Sequence, residues 1–178
     1  MGEATLVEGE DGGLGPAGEG WFVLNAREAR WSTGDFGECC AFETDEVRFR
    51  QLGINLSRLE PGETMTLYHR ELAQEEFLVL TGECLLVVEG EERRLRQWDL
   101  FHCPPGVAHA IVGAGEGPSI VLAVGARTEE SRGSAVYPAD PVAQKHKTGV
   151  EIETSDPREA YAPFELRDCA YEKGWLPR

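Results

Sequence analysis

The chain has 178 residues and a formal net charge of −15, from 17 Lys and Arg against 32 Asp and Glu. That length suits one domain with its own core, and the acid excess argues against nucleic acid or an anionic membrane as partner, because both need a basic face. No apolar run approaches the ~20 residues of a membrane helix, no leader pattern opens the sequence, and five cysteines without a C-x-x-C pair fit reduced thiols in a cytoplasmic protein.

Residues 1–20 carry five acids (Glu3, Glu8, Glu10, Asp11, Glu19), no Lys or Arg, and many Gly, so they are expected to form a disordered acidic tail. The GxGxxG match at Gly13–Gly18 lies in this tail, contains Pro16 and follows no strand, so it is not read as a nucleotide site. Residues 21–178 are expected to form a single domain. Short strand-like runs follow one another near 21–25, 39–43, 47–51, 53–60, 64–70, 75–81, 83–89, 92–96, 99–103, 108–113 and 118–126, with Gly or Pro in most of the turns. Such spacing predicts an all-β sandwich or barrel. The clearest hairpin is Glu83–Glu92, with Cys84, Leu86 and Val88 on one face. Ser155-Asp156-Pro157 is a helix start, predicting a short peripheral helix to Tyr161. Tyr171–Leu176, with Trp175, forms an aromatic C-terminal arm expected to pack outside the barrel or across a partner.

Three of the four histidines, His69, His102 and His109, fall between residues 69 and 109. If 64–71 is a strand, alternation places Met65, Leu67, His69 and Glu71 on one face. On the next strand Glu75, Phe77 and Val79 share a face, which returns Glu75 beside His69 and Glu71; Glu76 then points to solvent. Imidazole and carboxylate ligands on paired strands can meet one cation. Pro104-Pro105-Gly106 is a stiff turn that fixes where His109 emerges, with Ile111 further along the same strand face. Met65, Leu67, Phe77, Val79, His102 and Ile111 are the expected pocket lining, and Cys103 is read as core.

These residues resemble the two motifs of the cupin family, G(X)5HXH(X)3,4E(X)6G and G(X)5PXG(X)2H(X)3N. Pro104-Pro105-Gly106-(X)2-His109 matches the second motif, with Trp98 in place of its opening Gly and Gly113 in place of its closing Asn. Glu75-(X)6-Gly82 matches the end of the first. His69 takes the first His position with a six-residue opening spacer, and Glu71 replaces the second His. The stricter spacing puts Tyr68 and Arg70 there instead, as poorer ligands.

The resemblance spans about residues 50–127. It implies a double-stranded β-helix, or jelly-roll, barrel that holds a divalent metal (Zn, Fe, Mn or Ni) on His69, Glu71, Glu75 and His109. It also implies a homodimer. The expected function is metal-dependent chemistry on a small organic molecule, an oxygenase or isomerase reaction, with Glu71 as general base if it is not a ligand. The alternative is a non-catalytic cupin that binds a small ligand for sensing or storage. A sugar-phosphate isomerase is a narrower option, disfavoured by the scarcity of Lys, although Arg70, Arg93, Arg94 and Arg96 offer a phosphate grip.

Overall fold

A computed structural model of the chain describes residues 2–10 and 12–177. Twelve strands and two short helices are assigned among them: β1 (Thr5–Glu8), β2 (Leu14–Ala17), β3 (Arg30–Gly34), β4 (Gly37–Ala41), β5 (Leu52–Leu59), β6 (Glu75–Thr81), β7 (Glu83–Val88), β8 (Glu91–Arg96), β9 (Leu100–Cys103), β10 (His109–Ala114), β11 (Ser119–Ala126), α1 (Pro141–Lys145), α2 (Pro157–Tyr161) and β12 (Leu166–Ala170). The fold is all-β, of the double-stranded β-helix type. No helix of the described residues is long and apolar enough to cross a membrane.

Seven strands form one sheet in the order β12-β3-β4-β5-β11-β6-β9, and three form a second in the order β10-β7-β8. The core lies between them. Leu59 of β5, Phe77 and Val79 of β6, Cys84 and Leu86 of β7, Cys103 of β9, Ile111 of β10 and Val121 of β11 are all buried in one cluster. Period-2 alternation produces this, since each strand turns one face inward. The reverse face of β7 is covered as well: Val87 packs with Tyr68, Ala110 and Ala143, the last from α1. Both helices begin as their sequences direct, with Asp140 and Asp156 at the N-cap and Pro at the first position. Only the second was expected, although Asp140-Pro141 is the same signal.

Several expectations are corrected. The segment read as a disordered tail forms the β1–β2 hairpin; the same expectation at Met1 and Asp11 falls outside the described residues. Composition misled because glycine here permits close packing: a Cβ at Gly13 would lie 2.5 Å from Arg30 Cα. Leu14 N–H also bonds to the Glu28 carbonyl at 2.7 Å. The runs 21–25 and 47–51 are loops. In the second, side chains take the place of a ladder: the Thr44 hydroxyl accepts from Val47 N–H at 3.1 Å, and the Glu43 carboxylate accepts from Phe49 N–H. Phe22 and Phe49 then stack on each other, ring centroids 6.2 Å apart.

The run 64–70 makes only isolated bridges, at Thr64, His69 and Arg70. Thr64 donates its hydroxyl to the Thr66 carbonyl at 2.7 Å, which breaks the alternation. Leu67 consequently packs away from the interior cluster, against Phe36, Tyr137 and Ala160. The C-terminal arm closes on its own chain. β12 pairs with β3, and Tyr171 and Trp175 pack on Trp31 with centroid distances of 5.9 and 5.2 Å.

Candidate metal centre

His69 and His109 face each other as an antiparallel backbone pair. His69 N–H donates to the His109 carbonyl at 3.1 Å and His109 N–H to the His69 carbonyl at 2.8 Å. The two imidazole rings are held with centroids 5.0 Å apart. β6 brings in Glu75, whose Oε2 lies 3.4 Å from His109 Nε2. One ligating atom from each of His69, Glu75 and His109 lies within 4.8 Å of the others, an arrangement able to hold a metal ion.

Main-chain carbonyls fix both tautomers. The Leu67 carbonyl lies 2.8 Å from His69 Nδ1, and the Val107 carbonyl 3.2 Å from His109 Nδ1. A carbonyl only accepts, so each Nδ1 carries a proton, and in the neutral ring Nε2 is the nitrogen with the free lone pair. This is how metal-binding histidines are commonly oriented. Cys103 Sγ sits 3.3 Å from His109 Nδ1 on the same side. Burial, and then the Glu75 and Glu71 carboxylates, push the Cys103 thiol up to about 12, so it stays a neutral neighbour.

The acid and the base are both held near their neutral forms. Burial, with Glu71 adding to it, raises Glu75 to about 7. Burial, with His69 adding to it, lowers His109 to about 4. Glu75 Oε2 and His109 Nε2 are buried and make no hydrogen bond. Two unsatisfied polar atoms in contact, with both Nδ1 atoms already bonded, fit a group that accepts both lone pairs.

Of the expected ligands the structure gathers His69, Glu75 and His109. Glu71 is not in that group; it lines a cleft beside it. Tyr68 and Arg70, which the stricter motif spacing selects, face elsewhere: the Tyr68 hydroxyl accepts from Gly90 N–H at 3.1 Å, and Arg70 pairs with Glu153 at 4.0 Å. Among the expected lining residues, Met65, Phe77, Val79 and Ile111 belong to the interior cluster, and Phe77 lies beside His109 with ring centroids 5.2 Å apart. His102 does not line the site. Its register partner is Glu76, and it bonds that outward carboxylate through Nδ1 at 2.7 Å. The same register puts Cys103 opposite Glu75, so alternation could have marked Cys103 as a neighbour of the site. Tyr137, whose ring centroid is 5.9 Å from that of His69, comes from far along the chain and gave no sequence signal.

Residues 55–125 match the cupin domain family model. Among solved structures, the chain is similar to a sugar phosphate isomerase of the cupin superfamily from Silicibacter pomeroyi: 29% identity, 58% of this chain and 62% of that one covered, TM-score 0.46. It is similar to a provisional sugar phosphate isomerase from Acidithiobacillus ferrooxidans, at 27% identity over 56% of this chain and 64% of that one, TM-score 0.47. A third is an RmlC-like cupin from Shewanella frigidimarina, at 20% identity over 55% of this chain and 81% of that one, TM-score 0.45. The chain thus spans less than two thirds of the length of the first two. No curated protein matches significantly. The chain thus carries, at residues 55–125 and around its His-Glu-His cluster, a match to the cupin domain model.

Proposed function

We propose that the protein is a metal-dependent cupin acting on a small organic molecule. One observation carries the reading: Glu75 Oε2 and His109 Nε2 are buried, lack hydrogen-bond partners and lie 3.4 Å apart. Leaving both unsatisfied is costly, and a shared divalent cation removes the cost. His69, Glu75 and His109 would hold it; two imidazoles and a carboxylate suit Fe(II), Mn(II), Zn(II) or Ni(II). Such a metal supplies Lewis-acid polarisation of a substrate oxygen.

The chain's own residues supply the rest. Phe77 and Phe101 flank His109, with centroids 5.2 and 5.7 Å from its ring, and exclude water from that side. Glu71, on the cleft side and outside the ligating group, is the residue assigned to accept a proton from a bound substrate.

The test is metal analysis of protein purified without chelator, followed by titration with Mn, Fe(II), Zn and Ni. About one metal per chain is expected, with affinity falling more than ~100-fold in His109→Ala, because a ligand matters more than the residues that orient it. Protein that carries no stoichiometric metal and gains none on titration overturns the reading.

A further inference from the structure

A cleft of about 720 Å³ opens beside the metal centre, a size suited to a small ligand. Glu71 and Gly125 join the two. Both line the cleft, and a Cβ at Gly125 would lie only 3.6 Å from Glu75 Oε1. A side chain at this position would stand in van der Waals contact with Glu75 on the cleft side, and glycine leaves that side uncovered.

The charged lining is four arginines against two acids, Glu71 and Glu129, the reverse of the balance in the whole chain. Arg48, Arg50, Arg127 and Arg132 all line it, in a protein of net charge −15. Their charges are unequally matched. Arg127 is held by Glu43 through two contacts of 2.7 Å, and Arg48 bonds Asp45 at 2.9 Å. Arg50 is 91% exposed and only loosely paired with Glu19 at 3.9 Å. Arg132 is exposed and has no ion-pair partner among the described residues. Its loop is firmly placed. Thr128 N–H donates to the Ser131 hydroxyl and Ser131 N–H to the Thr128 hydroxyl, each at 3.0 Å. The Ser134 hydroxyl accepts from Leu72 N–H at 2.8 Å, which fastens the loop beside Glu71.

We propose that this cleft takes the substrate and that the substrate is a small organic anion, its phosphate or carboxylate group seated on Arg132 and Arg50 and its other end directed past Gly125 toward Glu75. Guanidinium groups match oxyanions in both charge and geometry. A loop already bonded in place loses little freedom on binding. The role as substrate subsite rests on the metal-dependent reading above; anion binding by itself does not.

The experiment is calorimetric titration of the metal-free chain with inorganic phosphate and, separately, with malonate at low ionic strength. Saturable binding of at least one is expected, weakened about tenfold or more (about 1.4 kcal/mol) in the double variant Arg50→Gln/Arg132→Gln. It should be unchanged in Arg167→Gln, an exposed arginine on β12. Tighter phosphate binding assigns a phosphate ester, tighter malonate binding a carboxylate. In Mn(II)-loaded protein the ³¹P line of bound phosphate should broaden, and the double variant should lose that broadening. No binding of either anion to the wild-type chain, or equal binding by the double variant, overturns the proposal. Arginine-dependent anion binding in a chain that takes up no metal removes the metal reading and leaves the anion cleft; metal uptake without anion binding does the reverse.

Discussion

Glu75 and His109 shift in opposite directions for one reason: burial disfavours the charged form of each. The effects on stability oppose each other in the metal-free chain. The raised Glu75 pKa contributes stability that is fully present below about 4.5 and is lost as pH rises through about 7. The lowered His109 pKa contributes stability present above about 6.5 and lost as pH falls through about 4. Metal uptake has no such cancellation. On the proposed ligand set a cation would need the Glu75 carboxylate, while His109 is already neutral above about 4. Apparent Mn(II) affinity should therefore rise by about tenfold per pH unit below about 7, as Glu75 releases its proton, and lose that dependence on Glu75 above. Dye-competition titrations across this range read it directly. A profile flat through about 7 would contradict the assignment of Glu75 as ligand. At this scale much of the centre was legible. Alternation selected Glu75 over Glu76, and the Pro-Pro-Gly turn marked His109. Glu71 lies outside the His-Glu-His group, and the segment before it departs from period-2 alternation, with the Thr64 hydroxyl bonded to the Thr66 carbonyl and to the Thr148 hydroxyl.

Elements with clean alternation were the readable ones: β5 to β11 lie within a residue or two of where the pattern puts them. The two motif departures also acquire a physical meaning. Trp98 stands at the motif's opening Gly and adopts φ 74°, a left-handed conformation that glycine takes without strain. Gly113 replaces the motif's Asn because a Cβ there would lie 2.3 Å from the Glu60 carbonyl oxygen. Strands β3 and β12 were missed because they lack alternation and pair through residues far apart in sequence. A polar tie across β4 and β5 was also invisible in sequence. Arg58, its side chain 11% exposed, bonds Glu38 at 2.7 Å and also pairs with Glu60. Removing the guanidinium leaves the Glu38 carboxylate, 15% exposed, without its cation. Arg58→Ala should destabilise the fold by about 3 kcal/mol, whereas the loss of an exposed pair would cost under ~1 kcal/mol. Urea denaturation distinguishes the two, and a loss in the lower range would mean that water already compensates Glu38.

Across the whole molecule, protection should follow position in the seven-stranded sheet. β11 is flanked by β5 and β6 and contributes Val121, fully buried, to the core. β12 lies at the sheet's edge, and most of its residues are exposed. Amide exchange in the native protein should therefore be slowest in β11 and faster by an order of magnitude or more (about 1.4 kcal/mol) in β12, since edge elements open without global unfolding. Equal protection of the two would show that the sheet opens only as a unit. The fold class follows from strand spacing alone, but this gradient depends on strand order, which no local pattern displays.

The pairing of β3 with β12 also sets a timetable. During synthesis the chain emerges from its N-terminal end. Arg30–Gly34 then exists well before Leu166–Ala170, and until the later segment arrives Trp31 lacks the two aromatic rings that cover it. Glu75 and His109 need no such wait, since β6, β10 and the strands beside them lie within residues 52–126, whereas the segment of His69 is also tied to later residues, Tyr68 N–H donating to the Thr148 carbonyl and Arg70 N–H to the Val136 carbonyl. A nascent chain would thus be able to bring Glu75 and His109 together while its outer sheet still shows an open edge and a bare indole. That is the interval in which it is most exposed to pairing with the wrong strand.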